Sequence, residues 1–303
     1  MTAYPPYLKK GSLIGITCPA GFVSNERVFG AIDLLQQQGF RVKVGETVGS
    51  EHFYFSGTDE QRRNDLQTML DDPNIDAILM GRGGYGTSRI IDQLDFSAFC
   101  LKPKWICGFS DICVLHSHIQ ANFQIPTFHS PMSGAFSFDT LETAHVQQFF
   151  SAIMGLPLSY TTPPSAFNRR GNADGILVGG NLAILAHLTG SSSELQTEGN
   201  ILFIEDIGEH LYQIDRMLMN LKRSGKLNRL KGLIVGSFTE IEDTERPFGQ
   251  TLEEIIFSKV QEFSYPVCFN FPAGHQQTNY TLTLGMRHKL IVTEQGGSLK
   301  LSR

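Results

Sequence analysis

The stretch KWICGFSDICVLH, residues 104–116, joins a short apolar run to an apolar, helix-like pattern through the turn Gly-Phe-Ser-Asp. This pattern predicts a strand, a sharp turn and a helix in succession. Ser110 stands in the turn, either as the N-cap of the helix or as a nucleophile presented at the tip of the turn. Gly108 matches the first glycine of the G-x-S-x-G nucleophile elbow, but Ile112 replaces the second. The local sequence therefore leaves both interpretations open.

The chain before this turn repeats the same alternation of strand and helix. Strands are predicted in SLIGITCPAG (12–21), FRVKVG (40–45) and IDAILMGRGGYG (75–86), and helices over 25–38, over 59–71 with Asp59 as N-cap, and over 88–94. Strand, helix and strand in succession imply a parallel sheet with crossover helices. Ligands bind beyond the carboxyl ends of such strands, where Ser110 and the glycine-rich turn at 81–86 both lie.

The character of the sequence changes after about residue 155. The stretch PLSYTTPPSAFNRRGNADG is rich in Pro, Ser, Thr and Gly, and we expect a linker over 157–174. It would separate an N-terminal domain, 1–156, from a C-terminal domain, 175–303. Short strand-like runs and one amphipathic segment in the second half predict a smaller, mixed α/β and partly barrelled domain.

Composition narrows the class of protein. The 303 residues suit two domains, the formal charge is −5, and no long basic run suggests nucleic-acid binding. Five cysteines without a CxxC pair indicate free thiols in a reducing compartment. Neither a signal peptide nor an apolar run of membrane-spanning length is evident. We therefore expect a cytoplasmic protein that binds neither nucleic acid nor membrane.

The histidines offer one good candidate for a general base. His275 follows a strand-like run in the turn PAGHQ, where Gly274 gives the backbone freedom to present the ring. His116 and His118 form an H-x-H pair on a predicted helix, but no carboxylate or cysteine spacing completes a metal site. A loop histidine beyond a strand end is a better base than one on an apolar helix face.

An orienting carboxylate is expected in ILFIEDIGEH. Glu205 and Asp206 end an apolar strand, and burying a carboxylate is costly unless it is paired or functional. Asp206 also fits an ordinary acidic residue at a helix N-terminus. The pattern does not choose between these two carboxylates.

The glycine-rich turn GRGGYG has two interpretations. Gly81, Gly83 and Gly86 match the G-x-G-x-x-G of dinucleotide-binding loops, but the turn follows a later strand and lacks the downstream acidic residue. Alternatively, its main-chain N–H groups stabilise an oxyanion near Ser110, with the N–H of Asp111 as second donor. We favour the oxyanion interpretation because it explains the glycines and the serine together.

These pieces together resemble the LD-carboxypeptidases, or muramoyltetrapeptide carboxypeptidases, a serine peptidase family that also includes the microcin C self-immunity peptidases. The resemblance spans nearly the whole chain in the motifs ITCPAG, GRGGYGTSRI, ICGFSD, HSPM, GGNLAIL, FIEDIGEHLYQIDRML, GLIVGSF and FPAGHQ. It implies a Rossmann-like N-terminal domain that holds the serine and a C-terminal domain that supplies the other catalytic residues. It also implies a homodimer that needs no metal or cofactor.

The resemblance implies a triad of Ser110, Glu205 and His275. It further implies release of the terminal D-alanine from murein tetrapeptides in cell-wall recycling. The oxyanion would be bound by the N–H groups of Asp111 and of Gly83 or Gly84. Arg82, Arg216 and the N–H groups of GRGGYG are the candidates for holding the terminal carboxylate of the substrate.

Two other functions are weighed against this one. A microcin-immunity-type peptidase would cleave aminoacyl-nucleotide conjugates and needs an aromatic platform for the base. The obvious loop, residues 240–252, carries only Phe248. A non-catalytic dinucleotide-binding protein would use the Rossmann-like half and tolerate replacement of Ser110, but the intact Ser, Glu and His set disfavours it.

Overall fold

The computed structural model describes residues 4–302, and the chain divides into two units. The first unit runs to Pro157 and also contains Tyr280–Leu282. The second unit takes Leu158–Asn279 and the chain from Thr283 onward. Each unit is built around its own sheet.

The first unit alternates strands and helices as the sequence predicts. Its elements are β1 (Leu13–Thr17), α1 (Asn25–Gln37), β2 (Arg41–Val44), α2 (Asp59–Asp71), β3 (Ile75–Met80), α3 (Ser97–Leu101), β4 (Trp105–Gly108), α4 (Cys113–Phe123), β5 (Thr127–His129) and α5 (Ala144–Ile153). The strands lie in the order β5-β4-β3-β1-β2, and these neighbours are all parallel. The Rossmann-like parallel sheet expected for this half is confirmed.

The central strands are apolar on both faces because helices cover both sides of a parallel sheet. All four residues of β4 are buried, and β3 is buried at every position except Asp76. Since β1, β3 and β4 run in the same direction, their carboxyl ends lie along one edge. The turns after these three strands therefore come together, and the Gly21 N–H donates to the Gly83 carbonyl at 3.0 Å.

Two local predictions in this unit need correction. The stretch 88–94, expected to be a helix, forms the short 3-10 turns Thr87–Arg89 and Ile91–Gln93. The N-cap of α2 is Thr58 rather than Asp59, because Thr58 and Gln61 form a reciprocal capping box. Asp59 is the first helical residue.

The remaining elements follow along the chain, and all of them except the first residue of one strand, Leu282, lie in the second unit. They are β6 (Ser159–Thr161), β7 (Gly171–Asn181), α6 (Leu182–His187), β8 (Ile201–Ile207), α7 (Leu211–Arg223), β9 (Gly232–Thr239), α8 (Leu252–Val260), β10 (Val267–Cys268), β11 (Leu282–Leu284), β12 (Arg287–Thr293) and β13 (Gly296–Leu301). The segment 157–174, predicted as a linker, carries β6 and the first residues of β7.

The sheet of the second unit is mixed and strongly curled. Its order is β10-β9-β8-β7-β12-β13-β6, parallel from β10 to β7 and antiparallel from β7 to β6. Arg169 exchanges two main-chain hydrogen bonds with Val267 of β10, and the Thr162 hydroxyl lies 3.5 Å from the Cys268 sulfur. These contacts draw the two edges together without closing the order of strands. The mixed α/β expectation is confirmed, and the sheet is not a closed barrel.

Helices α6, α7 and α8 cover one face of this curled sheet. Helix α7 is amphipathic and buries Ile214, Leu218 and Leu221 in a core that they share with apolar residues of β8 and β9. This packing fixes the parallel strands whose carboxyl ends carry the candidate functional residues. Between residues 4 and 302, no helix is both long enough and apolar enough to cross a membrane.

Candidate active site

Ser110 has a backbone conformation that serine rarely adopts. Its φ is +63°, and it opens a 3-10 turn, Ser110–Ile112, between β4 and α4. A left-handed conformation costs an L-residue with a Cβ about 1–2 kcal/mol, and such strain concentrates at functional sites. The helix-capping interpretation is wrong, because the N-cap positions of the turn and of α4 are Phe109 and Ile112, neither with a side-chain cap.

The glycine-rich turn packs directly against this serine. A Cβ on Gly83 would stand 2.8 Å from the Ser110 Cβ, 3.0 Å from its Oγ and 3.4 Å from the Asp111 nitrogen. Glycine at position 83 is therefore required by close approach. Gly84 has a φ of +98° and lies beside the Tyr54 hydroxyl.

The Asp111 side chain ties the serine turn to the chain that follows the glycines. It is buried, and its Oδ2 accepts a 2.8 Å hydrogen bond from the Thr87 N–H. This contact explains why an acidic residue follows the serine. The predicted role of the Asp111 main-chain N–H in binding an oxyanion stays a prediction.

A buried arginine that the sequence did not reveal organises the same loops. Arg62 of α2 is fully buried, donates to the carbonyls of Pro19 and Gly86, and pairs with Asp59. Its guanidinium also lies 4.7 Å from the centre of the Phe55 ring. Because Pro19 follows β1 and Gly86 ends the glycine-rich turn, this one side chain holds both loops in place.

His116 contacts the end of the strand that leads into the serine turn. Its Nε2 lies 2.9 Å from the carbonyl oxygen of Gly108, which also accepts the Ser130 N–H at 3.0 Å. Burial lowers the pKa of His116 to about 3, so the ring is neutral and donates through Nε2. Within residues 4–302, no cluster of three histidine, cysteine or acidic side chains is arranged to hold a metal ion.

In the second unit, Glu205 and His275 form a close pair. Glu205 lies on β8 with a fully buried side chain, and its Oε2 is 2.6 Å from the Nδ1 of His275. The same oxygen accepts the His275 main-chain N–H at 3.1 Å. The imidazole is 13% exposed. A buried carboxylate on Nδ1 fixes the orientation and the tautomer of the ring, as general-base catalysis requires.

The loop that carries His275 is shaped for this contact. Gly274 has a φ of +116°, and a Cβ there would stand 2.8 Å from the Glu205 Cβ and from its Oε2. Asn279 accepts the Gly274 N–H at 2.9 Å, and the Thr239 hydroxyl donates to the His275 carbonyl at 2.7 Å. A larger residue at position 274 would therefore push the histidine away from its carboxylate.

The structure shows which of the two carboxylates, Glu205 or Asp206, contacts His275, a question that the sequence left open. Side chains alternate along a strand, so Glu205 and Asp206 point to opposite faces of the sheet. Asp206 accepts hydrogen bonds from the Asn181 side chain at 2.8 Å and from the Ala183 N–H at 2.9 Å. Burial raises its pKa to about 7. Asp206 therefore accepts hydrogen bonds at the start of α6, whereas Glu205 is the carboxylate that contacts His275.

The two arginines predicted to contact substrate lie in different units. Arg82 is exposed in the glycine-rich turn, and its Nη1 donates to the Phe22 carbonyl at 2.6 Å. Arg216 lies on the exposed face of α7 with its guanidinium 5.4 Å from the Tyr212 ring centre. Whether either binds a carboxylate stays a prediction.

The glycine-rich turn lacks the surroundings of a dinucleotide fingerprint. It follows β3 rather than β1, and two 3-10 turns succeed it where the fingerprint needs the N-terminus of a helix. This observation removes the main structural support for dinucleotide binding.

The fold defines an α/β protein with a parallel sheet in its first unit, and comparison with known proteins gives its family. The family model of the LD-carboxypeptidase N-terminal domain matches residues 14–130, and that of the LD-carboxypeptidase C-terminal domain matches residues 174–290. The chain belongs to the LD-carboxypeptidase family, as its resemblance to that family led us to expect.

Similar proteins cover nearly the whole chain. A Bacillus subtilis protein named "Probable murein peptide carboxypeptidase" is 33% identical over 96% of this chain and 92% of its own length. The crystal structure of muramoyltetrapeptide carboxypeptidase from Oxalobacter formigenes shares 28% identity, covers 96% of this chain and 99% of that one, and superposes with a TM-score of 0.86. The microcin C7 self-immunity protein MccF of Escherichia coli is 27% identical over 92% of this chain and 90% of its own length.

Proposed function

We propose that the protein is a serine LD-carboxypeptidase that releases the terminal D-alanine from murein tetrapeptides during cell-wall recycling. The observation that carries this proposal is the 2.6 Å contact between the buried Glu205 carboxylate and Nδ1 of His275 in a chain of the LD-carboxypeptidase family. The names of the Bacillus and Oxalobacter relatives support the class of substrate.

In this proposal, the His275 and Glu205 pair acts as the general base. The Nδ1–H of His275 donates to Glu205, so the lone pair on Nε2 accepts the Ser110 proton. The imidazolium that forms is stabilised by the buried carboxylate. His275 then returns the proton to the leaving nitrogen of D-alanine.

Ser110 acts as the nucleophile. Its Oγ attacks the carbonyl at the L-centre of meso-diaminopimelate, and an ester forms as the bond to D-alanine breaks. The N–H groups of Asp111 and of Gly83 or Gly84 bind the developing oxyanion, and their packing against the serine turn supports this role. A water molecule, deprotonated by His275, then hydrolyses the ester and frees the tripeptide.

Two further properties are inferred from the resemblance to the family, and a third, the cytoplasmic location, from the cysteine pattern of the sequence. We infer a homodimer, a cytoplasmic location and catalysis without a metal or cofactor. A cytoplasmic enzyme would meet murein peptides recovered from the wall, which agrees with a recycling role. Analytical ultracentrifugation tests the dimer, and activity in the presence of EDTA tests the independence from metal.

The aminoacyl-nucleotide alternative gains no support from the loop at 240–252. Phe248, its one aromatic residue, is partly buried and packs against the hydrophobic core of the second unit. A nucleobase platform needs an exposed ring face. The tetrapeptide therefore remains the favoured substrate.

The test is mass spectrometry of L-Ala-γ-D-Glu-meso-diaminopimelate-D-Ala incubated with the purified protein. Wild type is expected to release one alanine, Ser110→Ala none, and the control Ser97→Ala, on helix α3, as much as wild type. Release by Ser110→Ala would retain the activity and overturn the serine assignment. No release by wild type would overturn the proposed function.

A further inference from the structure

A cavity of about 270 Å³ lies in the first unit next to the serine turn. Its wall includes Phe109, which precedes the serine, and Gly81 and Arg82, which precede Gly83. At about 30 Å³ per water molecule, the cavity has room for roughly nine waters. It is smaller than a typical pocket for a drug-sized ligand, so it fits one small residue rather than a whole tetrapeptide.

The lining of this cavity combines apolar and cationic groups. Val23, Phe109 and Met132 contribute apolar surface, and the side chains of Arg27 and Arg82 contribute two positive charges. The Arg27 guanidinium lies against Gly134, with Nη2 3.6 Å from where a Cβ on that glycine would stand.

The two arginines of the cavity are not paired with an acidic side chain in the part of the chain that the structure describes. Between residues 4 and 302, neither Arg27 nor Arg82 forms an ion pair, and Arg82 donates only to the Phe22 carbonyl. The nearby Arg62 and Arg89 both pair with Asp59. The cavity therefore keeps an uncompensated positive charge, which is suited to an anionic ligand.

We propose that this cavity receives the terminal D-alanine and that Arg27, together with Arg82, binds its carboxylate. The inference rests on the proposed function, since it names the subsite for the leaving residue of that reaction. Guanidinium groups bind carboxylates through paired, charge-assisted hydrogen bonds. The methyl group of alanine would meet the apolar wall formed by Val23, Phe109 and Met132.

The position of Arg27 in the fold explains why the sequence did not indicate it. It is the exposed third residue of α1, in the stretch NERVF, and that stretch does not distinguish it from an ordinary surface arginine. The turn after β1 returns the chain to the same edge of the sheet as the glycine-rich turn, so Arg27 and Arg82 reach one cavity.

The experiment compares two substrates that differ only in the group that the cavity would bind. They are the tetrapeptide with a free terminal carboxylate and the same peptide ending in D-alaninamide. Wild type, Arg27→Gln and Arg27→Lys are assayed for kcat/KM on both. The matched control is Arg41→Gln, an exposed arginine of the same unit whose Nε donates to the Gly11 carbonyl at 2.9 Å.

Wild type is expected to prefer the acid over the amide by at least about tenfold. Arg27→Gln should lose about tenfold to a hundredfold on the acid and change less than about threefold on the amide. Arg27→Lys should recover part of the loss, and Arg41→Gln should match wild type. Equal losses on both substrates, or no loss on the acid, would overturn the subsite and leave the proposed function intact.

The subsite can also be tested if the proposed function fails. If wild type releases no alanine from the acid, the proposed function fails, and calorimetry of both peptides on wild type and Arg27→Gln decides the subsite. Tighter binding of the acid that Arg27→Gln abolishes would support the anion pocket. Equal binding of the acid and the amide, or no binding of either, would overturn it.

Discussion

One oxygen of Glu205, Oε2, holds both the ring and the main chain of His275, at 2.6 Å from Nδ1 and 3.1 Å from the backbone nitrogen. The ring therefore cannot rotate without breaking a buried hydrogen bond. Because the carboxylate is fully buried, little water is available to replace that bond. This pair is the geometry on which the proposed mechanism rests.

Replacing Glu205 with glutamine should abolish most activity while keeping the shape of the site. The amide can still hold the ring, but it carries no charge to stabilise an imidazolium and can select the wrong tautomer. We expect kcat to fall on the order of 10³-fold or more, with little change in KM. Steady-state release of alanine measures both constants. Glu209→Gln, four residues further along the chain, is the control, and an equal loss there would contradict the assignment.

Ser110→Gly and Ser110→Ala should differ in stability although both lack the hydroxyl. At a φ of +63°, glycine relieves the strain that alanine keeps. Since glycine also makes the unfolded chain more flexible, the net advantage should be modest, up to about 1 kcal/mol. Urea unfolding of the two variants measures it, and both should be inactive. A glycine variant no more stable than the alanine variant would show that the strain in the turn is no larger than the cost of glycine's flexibility in the unfolded chain.

Gly83→Ala tests whether the glycine-rich turn must touch the serine. The added Cβ would stand 2.8 Å from the Ser110 Cβ, so either the glycine-rich turn or the serine turn has to move. Displacement of a reacting group by a fraction of an ångström to 1 Å lowers rates by about tenfold to a hundredfold. In the control Gly175→Ala, the nearest atoms lie at ordinary contact distances of 3.4 Å. Unchanged kcat in Gly83→Ala would mean that the turn is not part of the catalytic geometry.

Much of the architecture is visible in the sequence because its signals are local. The apolar run before Ser110 and the helix after it appear as predicted, with β4 at Trp105–Gly108 and α4 at Cys113–Phe123. The succession of strand and helix then implies the parallel sheet of the first unit. The resemblance to the LD-carboxypeptidases rests on motifs along the whole chain, and the family is confirmed.

Other features depend on contacts between distant residues and have no local signal. The sequence could not show whether Glu205 or Asp206 contacts His275. Strand β8 is apolar on both faces, so its pattern does not reveal which face of the strand lies towards His275. Arg62 lies in a polar helix and looks exposed, yet it is buried by carbonyls of two loops far away in sequence. The left-handed conformation of Ser110 was equally hidden, since serine has no particular preference for it.

His116 should make the protein lose stability in acid. Burial lowers its pKa to about 3, whereas the ring titrates near 6.5 in the unfolded chain. Between these values the unfolded state binds a proton that the folded state does not, so stability rises with pH and falls as the pH drops below about 6.5. One such group contributes up to about 1.4 kcal/mol for each pH unit in this range.

His116→Gln removes this titration and keeps an N–H donor for the Gly108 carbonyl, which lies 2.9 Å from Nε2 of the histidine. We therefore expect the free energy of unfolding to depend less steeply on pH in the variant than in wild type between pH 6.5 and 4. Urea unfolding at half-unit steps of pH measures both slopes. The same change at the exposed His52 is the control and should leave the slope as in wild type. Equal slopes for wild type and His116→Gln would show that the folded protein accepts a proton at His116. The assignment of a neutral ring that donates to the Gly108 carbonyl would then be wrong.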